Sequence, residues 1–76
     1  MRVFIALELK SAYRLNNGEL EYAPIDDKGT FDIDMFDYVE PELIGDETVI
    51  FEGQEIQFND VYIKIKEVLN DTDGRK

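Results

Sequence analysis

Between Ala12 and Tyr22 two apolar-bearing runs, Ala12 to Leu15 and Glu19 to Tyr22, flank Asn16-Asn17-Gly18, the pattern of two strands joined by a tight turn. Asn and Gly tolerate the positive φ that such turns require, and Leu20 and Tyr22 alternate with Glu19 and Glu21 as on a half-buried strand. Upstream, Arg2 to Leu9 is nearly uninterrupted in apolar character, which predicts a strand covered on both faces, although Ala6 to Lys10 would tolerate helix or strand. Downstream, Asp26-Asp27-Lys28-Gly29 reads as a second turn, with Asp bracing its own backbone and Gly29 free to go left-handed. Thr30 to Met35 alternates apolar with acidic at period two and predicts a further hairpin arm. Phe36 to Val39 suits extended structure or a short helix capped by Asp32 or Asp34, with extended structure favoured, and Pro41 to Gly45 suits one helical turn.

Thr48 to Glu52 and Glu55 to Phe58 flank Gly53 as a last hairpin. The segment from Val61 to Leu69 is two-valued. Val61, Ile63 and Ile65 alternate with Lys64 and Lys66 as a strand would, yet Val61, Ile65, Val68 and Leu69 also share one helical face behind an N-cap at Asn59 or Asp60. The helix is favoured because Val68-Leu69 extends the stripe past the point where alternation fails. These elements predict an α+β fold: a small antiparallel β-sheet built from hairpins, with one C-terminal helix packed on a face. Residues 1–70 form a single compact domain in this reading, and 71–76 a polar flexible tail.

Composition sharpens the picture by exclusion. The 76 residues include no Cys or His, so there is no disulfide framework, zinc site, thiol nucleophile or imidazole base. Ser11 has no histidine to activate it. Asp26 to Asp34 carries many oxygen donors around Gly29 but fails as a calcium loop, because Lys28 precedes the glycine and Met35 stands where a bidentate Glu is needed. The sequence therefore points away from an enzyme, and to no metal and no cofactor. The apolar stretch behind Met1 is too short to span a bilayer and lacks a small-residue cleavage site, which reads as a soluble cytoplasmic protein with no membrane partner.

Charge changes the picture most. The net charge is −10, and its distribution is uneven. Met1 to Arg14 carries three bases and one acid, Leu15 to Ile63 carries 14 acids and only Lys28, and Lys64 to Lys76 carries four bases and three acids. The middle segment alone is thus −13. Pairs such as Glu19 with Glu21 and Asp32 with Asp34 would lie about 6.6 Å apart on one strand face, an arrangement that opposes folding and invites a functional explanation. Such alternation is also what any solvated strand face looks like, and it aids solubility.

The functional reading is a field of carboxylates that imitates nucleic-acid phosphates and occupies the basic groove of a protein partner. In charge and size the chain resembles the nucleic-acid-mimicking inhibitors that bacteriophages use against host nucleases and defence enzymes, which would place it in the host cytoplasm. The partner-binding set is Glu19, Glu21, Asp26, Asp27, Asp32, Asp34, Asp37 and Glu40, with Phe36 and Tyr38. Direct nucleic-acid binding is disfavoured, since eight scattered bases leave a chain that repels phosphate. The alternative is a non-catalytic accessory module that joins an assembly through an exposed sheet edge or an aromatic patch centred on Phe36, Tyr38 and Phe51. A monomer and a homodimer both fit the pattern.

Overall fold

The computed structural model of the chain describes residues 2–40, 42 and 46–74, with side chains as far as Asn70. Four strands, β1 (Phe4–Ala6), β2 (Ser11–Asn16), β3 (Glu19–Pro24) and β4 (Asp37–Tyr38), form an antiparallel sheet in that order. A separate hairpin of β5 (Thr48–Phe51) and β6 (Gln54–Gln57) leads into helix α1 (Phe58–Gly74). The fold is α+β, as the sequence predicts, but its strands divide between two sheets.

The β2–β3 hairpin follows directly from its turn. Asn17 and Gly18 hold φ of 56° and 82°, the pair of left-handed residues whose twist matches that of the flanking strands. The resulting register sets Tyr13 opposite Tyr22 and Leu15 opposite Leu20 on one face, and Ala12 opposite Ala23 and Arg14 opposite Glu21 on the other. The β5–β6 turn repeats the geometry with Glu52 and Gly53 at 53° and 81°. Glu52 accepts a 2.8 Å hydrogen bond from Lys64 Nζ of α1, an exposed ion pair worth under about 1 kcal/mol.

The core gathers Ala6, Tyr13 and Leu20 from the first sheet, with Val39 just after β4, against Phe51, Phe58, Val61, Ile65 and Leu69. The helix therefore buries positions 58, 61, 65 and 69, while Val68, expected on that stripe, is exposed. Each fully buried aliphatic side chain contributes about 1.5–3 kcal/mol. The opposite sheet face is also covered. The 3₁₀ turn Ile33–Met35 lies against β3, and the Phe36 ring sits 4.3 Å from the Arg14 guanidinium. Phe31 meets Phe36 edge-to-face at 5.4 Å.

Several expectations are corrected. Arg2 to Leu9 is not one strand covered on both faces: Ala6 pairs directly with Ser11, so Leu7 to Lys10 must reverse the chain. They do so as a 3₁₀ turn ending in a left-handed Lys10 whose N–H donates to the Leu7 carbonyl at 3.1 Å. Edge position leaves Ile5 exposed. Thr30 to Met35 is not a hairpin arm either, because Asp32 within it and Asp26 before it bond backbone N–H groups locally, in competition with a ladder. Asp26 Oδ1 accepts from the N–H groups of Lys28 and Thr30 at 2.9 and 2.8 Å, and Asp32 caps the 3₁₀ turn by accepting from Asp34 N at 3.0 Å. Ile33 and Met35, apolar positions of the expected alternation, are consequently exposed.

At the second hairpin Phe58 belongs to the helix instead of the strand, and its N–H donates to the Glu47 carbonyl at 2.7 Å. Asn59 and Asp60, the expected caps, lie inside the first turn. Helical backbone reaches Gly74, so the segment expected as a tail is helical over 71–74. The turn expected at Pro41 to Gly45 lies outside the described residues apart from Glu42, which is helical. No helix among the described residues is long and apolar enough to cross a membrane.

Candidate functional site

The eight carboxylates of the expected partner-binding set fall into two groups. In the first, each side chain has a local partner. Glu21 is pinned by Arg14 at 2.8 Å and by Asn16 Nδ2 at 3.3 Å, with both members of the ion pair largely buried. Its charge is therefore neutralised within the fold, and Glu19 and Glu21 do not form the like-charged pair their spacing suggests. Asp26 and Asp32 brace the turns already described, and Asp37 accepts from Tyr38 N at 3.0 Å. These three remain exposed while their carboxylates are held in place by backbone N–H groups. The second group, Glu19, Asp27, Asp34 and Glu40, is exposed. Asp26, Asp27, Asp32 and Asp34 ride on the segment that covers the sheet's second face, whereas Glu19, Asp37, Tyr38 and Glu40 lie beside β3 and β4. Among the described residues no three carboxylates converge as metal ligands.

The aromatic anchors separate as well. Phe51 is buried in the core and Phe36 is half-buried beneath Arg14, so neither offers a free face to a partner. Tyr38 is 47% exposed. It lines an open cavity of about 460 Å³, together with Tyr13 and Tyr22 of the hairpin and Phe58 at the start of α1. Val39 and Val49 add apolar lining, and the exposed Glu40 and Glu47 complete it with carboxylates. The Tyr13 and Tyr22 rings stand 6.4 Å apart, tilted by 33°. Aliphatic surface, several aromatic rings and two carboxylates around one opening form an environment suited to an organic cation.

The hydroxyls respond to this setting. Burial pushes the Tyr13 pKa above its ordinary 10.0, Ser11's hydrogen bond opposes the shift, and Tyr22 adds to it. Tyr38 is also raised, by desolvation, limited by its exposure, and by the charges of Glu19, Tyr62, Glu42 and Glu40. A raised tyrosine means that the folded state keeps a proton the unfolded chain gives up. The stability this contributes is fully present below about pH 10 and is lost as the pH rises through the folded value. Urea midpoints between about pH 9 and 11 should therefore fall more steeply for the native chain than for Tyr13→Phe. Parallel curves would mean that Tyr13 ionises alike in both states.

Compared with family models, curated proteins and solved structures, the chain matches none. A functional reading rests on the geometry alone. Sequence reasoning placed Tyr38 and Glu40 in a partner-binding set but missed Tyr13, Tyr22, Glu47 and Phe58 beside them. The signal for the two tyrosines was present, since they stand equally far from the Asn17-Gly18 turn and hairpin pairing must bring them together.

Proposed function

We propose that this protein is a small acidic protein-binding module that presents its carboxylates to a basic, nucleic-acid-binding protein and inhibits or modulates it by imitating phosphate. The supporting observation is the exposed set Glu19, Asp26, Asp27, Asp32, Asp34, Asp37 and Glu40 within a segment whose only base is Lys28. Backbone N–H groups fix three of those side chains, so part of the ordering entropy is spent on folding and not on association. Glu21 drops out of the set because Arg14 already neutralises it, and Phe36 because it packs inside the fold.

Affinity capture from nuclease-treated bacterial lysate, at low and moderate salt, tests this reading. The expected result is a basic partner that salt or added DNA displaces. The triple variant Glu19→Lys, Asp27→Lys, Asp34→Lys should weaken that partner by about tenfold or more. Undiminished binding by the triple variant would sink the mimic reading, as would a partner indifferent to salt and DNA. The accessory-module reading loses two of its three aromatic anchors, Phe36 and Phe51, to the fold's own packing.

A further inference from the structure

We infer that the open cavity between the β2–β3 face and the start of α1 is a receptor for one arginine side chain of the basic partner, an inference that rests on the reading above. Its volume of about 460 Å³ lies in the range of dedicated small-ligand sites, about 300–1,000 Å³. Its lining supplies the three things a guanidinium on an alkyl stem requires. The half-buried Val49 offers apolar surface to the stem, over a floor formed by the buried Val39 and Phe58. The exposed rings of Tyr22 and Tyr38 are the ones on which a planar cation could stack, with the buried Tyr13 behind them, the attraction acting within about 6 Å of a ring centroid. Glu40 and Glu47 offer carboxylates that the fork of N–H donors can grip.

The fold contains an internal precedent for the same chemistry. Arg14 lies 4.3 Å from the centre of the Phe36 ring while its guanidinium donates to Glu21 at 2.8 Å. The cavity presents the same combination of ring and carboxylate with its opening toward solvent. The surrounding field favours a cation too, since beyond desolvation the charges of Glu19, Glu42 and Glu40 add to the upward shift of the Tyr38 hydroxyl. Arginine is favoured over lysine because a compact, strongly hydrated ammonium cannot stack on a ring or fork onto a carboxylate as a plane does. A groove-binding partner supplies such side chains in abundance, because arginines are what it uses to hold phosphate.

The test is an amide NMR titration with the peptide acetyl-Gly-Ser-Arg-Ser-Gly-amide at about 150 mM salt, where diffuse surface attraction is largely screened. Shifts should concentrate on Tyr13, Tyr22, Tyr38, Val49 and Phe58. The citrulline peptide, which keeps the shape and lacks the charge, should bind about tenfold more weakly or worse, and the lysine peptide more weakly than the arginine one. Glu40→Gln with Glu47→Gln should weaken the arginine peptide by about fivefold or more, while Asp27→Lys with Asp34→Lys should change it by less than about twofold. Both variants alter exposed positions, and their amide spectra report whether the fold is kept. Shifts spread over the 25–36 segment, equal binding of citrulline or lysine, or indifference to the Glu40 and Glu47 changes would each overturn the assignment. The two readings fail separately. If the partner is lost on reversing Glu19, Asp27 and Asp34 but kept by the Glu40 and Glu47 variant, the acidic surface stands and the arginine receptor falls. If the peptide occupies the cavity and no salt-sensitive partner exists, the receptor stands and the mimic falls.

Discussion

Replacing Ile65 with alanine is expected to destabilise the protein by about 2–5 kcal/mol, and Ile63→Ala by less than about 0.5 kcal/mol. The difference comes from α1 alone. Ile65 is 0% exposed in the core, on a helix that contacts strands of both sheets, with Val61 one turn before it and Leu69 one turn after, whereas Ile63 is 49% exposed. Removing three carbons from Ile65 leaves a void that the surrounding core can close only in part. A 76-residue domain has about 4–11 kcal/mol of stability in all, so the loss is a large fraction of the whole. Urea unfolding followed by helical circular dichroism would show the Ile65→Ala midpoint shifted far below the native one, or no folded baseline. The paired comparison also decides between helix and strand. On a strand, residues 63 and 65 share a face and would suffer alike; equal losses would therefore contradict the helix.

That pair shows where the sequence was legible and where it was not. The hairpins at Asn17-Gly18 and Gly53 could be read because a tight turn fixes its own register, and every cross-strand neighbour follows from it. The helix could be read from a stripe longer than any alternation. The error at Thr30 to Met35 has a different origin. Alternating acids look the same whether a carboxylate faces solvent from a strand or turns back to bond a backbone N–H, and Asp26 and Asp32 do the latter. The division into two sheets and the chain reversal at Leu7 to Lys10 depend on which strands pair, a long-range choice that no local pattern records. The candidate site failed for the same reason. Tyr22 and Tyr38 meet Val49 and Phe58 only after both sheets are placed against the helix, although the Tyr13 and Tyr22 pairing was already implied by the turn.

Truncating Arg14 to alanine is expected to cost about 2 kcal/mol and to loosen the acidic segment that covers the second sheet face. Arg14 and Glu21 are opposite each other on β2 and β3, only 18% and 19% exposed, and joined at 2.8 Å. Without the guanidinium, Glu21 keeps Asn16 as a weak donor at 3.3 Å while its charge stays mostly out of water. Phe36 loses the cation stacked on it, and with Phe36 goes a contact that fixes the end of the 25–36 segment. Replacing both partners by apolar residues, Arg14→Met with Glu21→Leu, removes the stranded charge and should recover stability to within about 1 kcal/mol of the native chain. A urea double-mutant cycle measures both quantities, and additive losses would show that the pair is not coupled. Hydrogen exchange adds the functional consequence. In Arg14→Ala the amides of Lys28, Thr30 and Asp34, which donate to the carboxylates of Asp26 and Asp32, should exchange faster relative to those of β2 and β3. An ion pair between the strands thus determines how firmly the exposed carboxylates are presented, so the same substitution should weaken a basic partner even though it makes the net charge more negative.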